Sequence, residues 1–147
     1  MNIGIANDHR GFITKQKLTK FLEKKGYNVI DYGADSTDSV DYPDYALKLC
    51  NGIKKEEIHL GIVICGTGIG MSIACNKIKG IRCAKVSDHI EAKLSRQHND
   101  ANVVALSAET SMFEIKDIVE SFITTNFSND ERHQNRIEKI NNLEDNN

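Results

Sequence analysis

IVICGTGIGMSIACNK, residues 62–77, decides the fold. The β-branched run Ile62-Val63-Ile64 reads as the end of a buried strand, Gly66, Gly68 and Gly70 make a turn, and the apolar residues that follow read as a helix. A strand that passes through a glycine turn into a helix is the unit from which parallel sheets are built. Outward from this unit, short β-branched runs alternate with longer segments of helical period along the whole chain.

Five strands are expected, at NIGIA (2–6), NVIDYG (28–33), LGIVIC (60–65), IRCAKV (81–86) and NVVALS (102–107). FITKQKLTKFLEKKG, starting at Phe12, repeats apolar residues at Phe12, Leu18, Phe21 and Leu22 and closes on Gly26, the pattern of a surface helix with a glycine stop. YPDYALKLCNGI, IGMSIACNKI, HIEAKLSRQ and MFEIKDIVESFITTNF supply the later crossovers. Parallel strands joined by helices cross over right-handedly and carry helices on both faces. The expected fold is therefore a three-layer α/β/α, Rossmann-like sandwich with a five-stranded parallel sheet. A last helix, NDERHQNRIEKINNL, starts at Asn129 as N-cap and shows only a narrow apolar stripe at Ile137, Ile140 and Leu143, which calls for a partner surface. One domain over residues 1–147 is expected, with about 144–147 frayed.

Composition removes several classes of function. The chain carries 19 Lys+Arg against 21 Asp+Glu, a formal charge of -2, so no global field draws nucleic acid or an anionic membrane. No apolar run approaches the roughly 18 residues of a membrane span. Cys50, Cys65, Cys75 and Cys83 show no C-x-x-C spacing, and MNIGIAND does not read as a secretory leader, so a soluble protein of the reducing cytoplasm is expected.

In an open parallel sheet, ligands sit beyond the carboxyl ends of the strands. The residues to inspect are Asn7 to Gly11, Gly33 to Asp44, Cys65 to Gly70 and Ser87 to His89. The glycines at 66, 68 and 70 permit positive φ and gather N–H groups at a helix N-terminus, where an anion is the expected guest. A tight turn without a ligand reads equally well, and Asp88, 22 positions after Gly66, raises a dinucleotide site as a rival. The spacing G-x-G-x-G, the thiol at 65 and the placement after the third strand weaken that rival. A helix N-terminus favours the thiolate at Cys65, whereas Cys50, Cys75 and Cys83 read as packed core thiols. Thr67 suits a sulfur or substrate hydrogen bond and equally a helix cap. By position alone His98, with Asn99 beside it, reads as a helix C-terminal residue, Asp8 and His9 as a turn, and Arg132 and Arg136 as a solvated i, i+4 pair that could also clamp a phosphate.

Taken together, DHRGF, VDYPDYA, CGTGIGMSIACNK, RQHNDANVVALS and ERHQNRIEKI, in this order from Ile3 to about Ile140, resemble the type B ribose-5-phosphate isomerases and their relatives that isomerise galactose 6-phosphate and allose 6-phosphate. The resemblance implies reversible conversion of D-ribose 5-phosphate into D-ribulose 5-phosphate, within the pentose phosphate pathway, with no cofactor and no metal. It implies Cys65 as the proton-abstracting thiolate with Thr67 beside it, and the backbone amides from Gly66 through Gly68, Ile69 and Gly70 as donors to an enediolate. His98 resembles the ring-opening residue, assisted by Asp8 and Asn99. Tyr42 would line the sugar, and His9, Arg132 and Arg136 would hold the phosphate. One branch of the family has a glutamate base where this chain has Met71, which places the chain with the cysteine branch. Many relatives have an arginine where Glu109 stands, which leaves pentose against hexose phosphate open. The family also implies a homodimer, or a tetramer made of two such dimers, with shared active sites completed by the C-terminal helix and the His98 region. Protonation of the thiolate and of His98 would give the rate an acid limb. A hexose 6-phosphate isomerase, an NAD-type domain and a sugar-phosphate-binding module without turnover are the alternatives; the last two have no use for both Cys65 and His98.

Overall fold

The computed structural model describes residues 1–146. Its strands are β1 (Asn2–Asn7), β2 (Asn28–Asp31), β3 (Leu60–Cys65), β4 (Cys83–Lys85) and β5 (Val103–Ser107), all parallel, in the order β2-β1-β3-β5-β4. The helices are α1 (Phe12–Lys24), α2 (Tyr42–Lys54), α3 (Ile69–Asn76), α4 (His89–Asn99), α5 (Met112–Thr124) and α6 (Glu131–Asp145). This is the expected α/β architecture.

Side-chain alternation along β3 builds both halves of the core. Ile62 and Ile64 point into a layer formed with Leu18 and Leu22 of α1, Ala92 of α4 and Phe122 of α5, whereas Val63 and Cys65 point into a layer with Leu49 and Cys50 of α2 and Met71 and Cys75 of α3. Every residue of β3 is buried, as a central parallel strand with both faces covered requires. No helix among the described residues is long and apolar enough to cross a membrane.

The differences from expectation lie at element ends. β2 stops at Asp31; beyond it Tyr32 and Ala34 still donate to the Ile5 and Asn7 carbonyls of β1 at 2.8 and 3.1 Å, while the Gly33 N–H between them is taken by the Asp31 carboxylate at 2.8 Å. β4 is an edge strand of 3 residues, and before it the Arg82 N–H is taken by the Asn102 side chain instead of a ladder carbonyl. Asn129 is not the N-cap of the last helix. It sits at φ 59°, and Asp130 caps instead, its carboxylate accepting the Arg132 N–H at 2.9 Å. The helix continues to Asp145, into the segment expected to fray, and Asn147 lies outside the described residues. Near its start α6 buries His133 and Ile137 against its own chain, while Ile140 and Leu143 further along remain exposed.

Candidate active site

From β1 the chain passes to β2 on one side, while β3 and the rest of the sheet lie on the other, so β1 and β3 flank the switch point. Their carboxyl ends are tied by the Asp8 N–H, which donates to the Ile64 carbonyl at 3.2 Å. Cys65 is the last residue of β3 and only 4% exposed, which makes it the floor of the site. Its Sγ accepts the N–H of Gly68 at 3.2 Å. Gly68 caps α3 with φ 78°, and this left-handed residue is what swings the amide back over the sulfur. The Thr67 hydroxyl accepts the Ile69 N–H, the first of α3, at 3.1 Å.

Within the loop only Gly68 has positive φ; Gly66 and Gly70 are required for a different reason. A Cβ on Gly66 would lie 2.9 Å from the Arg10 guanidinium carbon, and one on Gly70 would lie 2.5 Å from the Tyr42 ring. These two glycines let long side chains from the turn after β1 and from the start of α2 lie directly on the loop backbone, so Tyr42 is brought to the site. Asp8 is buried and accepts the N–H groups of Arg10 and Gly11 at 2.9 and 3.2 Å, the turn into α1 that its position predicts. His9 Nδ1 accepts the Val40 N–H at 3.2 Å, which fastens the loop after β2.

Of the three thiols expected to pack in the core, Cys50 and Cys75 do so, while Cys83 is half-buried at its edge. Cys50 and Cys75 are fully buried, and both are held protonated. The hydrogen bond to Cys75, then burial, raises Cys50; the bond from Cys50 lowers Cys75, but the bond to Cys83 and burial outweigh it. Cys65 alone of the four meets the loop amides. Asp88 has a local use that leaves the dinucleotide rival without its acid: it caps α4, accepting the Glu91 N–H at 2.8 Å.

His98, Asn99, Arg132 and Arg136 are not brought to this edge. His98 and Asn99 end α4, just before β5 begins, whereas Cys65 pairs with Ser107 at the far end of β5. Val103 to Ser107 alone spans about 13 Å at roughly 3.3 Å per residue. α6 starts beside them: the Ser128 N–H donates to the Gln97 carbonyl, and the His133 ring stacks on His98 with centroids 4.3 Å apart. Burial, then the charges of His98 and Arg132, lowers the affinity of His133 for a proton. These residues form a second cluster at the opposite edge, exposed apart from His133.

Arg10 and Ser107 were missed. Ser107 Oγ donates to the Gly66 carbonyl at 2.7 Å and accepts the Glu109 N–H at 3.1 Å, joining β5 to the loop. The rule that drew attention to the ends of the first four strands, applied to the fifth, finds it. Arg10 lies inside the first segment inspected, yet nothing local shows that its guanidinium lies on Gly66.

A buried thiol that accepts an amide of a glycine turn, at the switch point of a parallel sheet, defines an α/β protein of the class that places its ligand site beyond the carboxyl ends of the strands. Residues 3–140 match the Ribose/Galactose Isomerase family. The chain is 41% identical over 143 residues to the ribose-5-phosphate isomerase B of Escherichia coli strain K12, covering 97% of this chain and 95% of that protein. It superposes on the Clostridium thermocellum ribose-5-phosphate isomerase B with TM-score 0.97 at 44% identity, covering 99% of each chain. It superposes on the Mycoplasma genitalium ribose-5-phosphate isomerase B with bound ribulose-5-phosphate with TM-score 0.94 at 42% identity, covering 99% of this chain and 97% of that one. The chain belongs to the Ribose/Galactose Isomerase family.

Proposed function

We propose that the protein is an aldose–ketose isomerase that interconverts D-ribose 5-phosphate and D-ribulose 5-phosphate, a reaction of the pentose phosphate pathway, through an enediolate. The observation that carries this reading is the Cys65 sulfur on the floor of the switch-point site with the Gly68 N–H aimed at it. As a thiolate, Cys65 removes the proton from C2 of the open-chain aldose and returns it at C1. The loop amides stabilise the charge that develops on oxygen between the two transfers. Tyr42 and the Asp8–His9 turn would shape the sugar and phosphate ends; a sugar phosphate as substrate is supported by the ribulose-5-phosphate bound to the Mycoplasma genitalium relative. The chemistry needs no redox partner, since the two protons exchange within one substrate.

In this reading the site is shared within a homodimer, and a tetramer would pair two dimers. A second copy supplies His98 for ring opening with Asn99 beside it, and Arg132 and Arg136 for the phosphate. Two apolar pairs, each one helical turn apart, support such an interface: Ile69 and Ile73 on α3, and Ile90 and Leu94 on α4, all exposed in the single chain. All four cysteines are free, which suits a cytoplasmic setting.

Turnover of ribose 5-phosphate with a ketose readout, beside Cys65→Ala, tests the proposal. Activity on ribose 5-phosphate that falls by roughly a hundredfold or more in the variant is expected for loss of a general base. Undiminished turnover in the variant would remove Cys65 from that role. Good activity on allose 6-phosphate and none on ribose 5-phosphate would move the substrate to the hexose phosphates.

A further inference from the structure

Arg10 lies on the rim of the site with its side chain 57% exposed, while Cys65 lies on the floor. Its guanidinium is packed flat enough on Gly66 that a Cβ there would meet three of its atoms, Cζ, Nη1 and Nε, at 2.9 to 3.0 Å. Its backbone N–H is held by Asp8, and its Nη2 donates to Glu109 Oε1 at 3.3 Å. Glu109 is in turn fixed by its own N–H on Ser107 Oγ, and Ser107 holds the Gly66 carbonyl. The four residues form a closed ring of contacts around the first peptide of the anion loop, and the guanidinium is oriented from both sides. Only its pairing with Glu109 is weak: that carboxylate is 76% exposed, and an ion pair between two such exposed groups adds little in water.

We propose that Arg10 is a binding residue for the phosphate of the substrate, held over Gly66 in the free protein by Glu109, whose carboxylate the phosphate displaces. The inference rests on the isomerase reading for the identity of the substrate. The carbons that Cys65 addresses lie at one end of a five-carbon chain and the phosphate at the other. A cation on the rim above a buried base therefore meets the phosphate end. A phosphate dianion offers the guanidinium two parallel charge-assisted hydrogen bonds, a better partner than a solvated carboxylate at 3.3 Å. Glu109 thereby acts as a positioning residue that both pre-orients Arg10 and weakens binding by like charge.

Kinetics on ribose 5-phosphate, with inorganic phosphate as a competing anion, test this. Arg10→Ala should raise both KM and the inhibition constant of inorganic phosphate by roughly tenfold or more, a larger factor than any fall in kcat, as expected for a lost charge-assisted pair. Glu109→Gln should shift both constants the other way, by roughly twofold to fivefold. In Arg10→Ala/Glu109→Arg, a guanidinium delivered from position 109 to the same space should recover most of the loss. Arg10→Ala with unchanged KM and unchanged phosphate inhibition overturns the proposal, as does Glu109→Gln that weakens binding or a double variant as poor as the single one. Calorimetric titration of each protein with inorganic phosphate scores Arg10 even if ribose 5-phosphate is not turned over, an outcome that would fall on the substrate assignment instead. Wild-type protein that takes up no inorganic phosphate in that titration also overturns it.

Discussion

Gly68→Ala separates the two demands that the loop makes on its backbone. The residue sits at φ 78°, where an L side chain costs about 1–2 kcal/mol, of which the stiffer unfolded chain returns about 0.4–1 kcal/mol. The added Cβ would also lie 2.9 Å from the Leu106 carbonyl carbon and 3.1 Å from its oxygen. Those atoms belong to β5, a strand paired on both sides, so the loop and not the sheet must move, at about 1–3 kcal/mol more. The sum predicts a loss of about 1–5 kcal/mol, which at about 2–4 °C per kcal/mol for a chain of this size is roughly 2–20 °C in the melting midpoint. Movement of the loop withdraws the Gly68 N–H from Cys65 Sγ, and if Cys65 acts as the proposed thiolate, losing that charge-assisted hydrogen bond should lower kcat by roughly 10- to 150-fold. Gly26→Ala is the control, since Gly26 has φ 92° with nothing within 4 Å, and it should show the backbone cost alone with full activity. Thermal and urea unfolding at one fixed protein concentration, with turnover on ribose 5-phosphate, measure both effects. If Gly68→Ala melts with Gly26→Ala and turns over like the parent, the contact with β5 and the amide–sulfur bond have been overvalued.

Two further outcomes follow from the cluster at the other edge and from the exposed apolar pairs. His133 is held below its ordinary 6.5 by burial and by the charges of His98, Arg132 and Arg136, which outweigh Asp130. The unfolded chain therefore takes up that proton first, and stability should be steady above about pH 6.5 and decline below it; urea midpoints that decline as steeply in His133→Gln as in the parent would refute this. Ile73→Asp places a charge on the exposed face of α3, where Ile73 is 58% exposed, and should give a folded monomer in sedimentation with little turnover. A monomer that keeps full activity would refute the shared site.

The fold was legible because each strand of the inner sheet is a β-branched run bounded by glycine or polar residues, and burial on both faces allows little else. What was misread lies where packing stops deciding. β2 and β4 are the sheet's two edges, and beside their ends single side chains, Asp31 and Asn102, take the backbone N–H groups of Gly33 and Arg82. Asn129 and Asp130 are equally good caps by composition, and only the backbone, left-handed at 129 and extended at 130, separates them. In the site, Cys65 and Gly68 could be read locally because a strand, a turn and a helix N-terminus are consecutive in sequence. The reasons for Gly66 and Gly70 could not, because Arg10 and Tyr42 come from 56 and 28 positions away. The pairing of Arg10 with Glu109 spans 99 positions and exists only because β1, β3 and β5 lie side by side in register.

The division of the sequence-predicted residues between two edges follows from the architecture itself. A right-handed crossover leaves a strand at its carboxyl end and must return the chain to the amino end of the next strand, so a crossover helix ends at the edge opposite the switch point. α4 has 11 residues, about 16 Å of rise, and His98 in its last turn is carried that far from the ligand edge before β5 begins. No loop rearrangement brings His98 back to Cys65 of the same chain without dismantling α4, which is packed on α5 through Ala92 and the central layer. α6 strengthens the separation, because the stack of His133 on His98 and the burial of Ile137 hold Arg132 and Arg136 at that same edge. A reaction that uses both a thiolate under the glycine loop and an imidazole at the end of α4 therefore requires two chains. Residues that look idle in one copy, an exposed histidine and two solvated arginines, would then be placed by the interface and not by the fold of the chain that carries them.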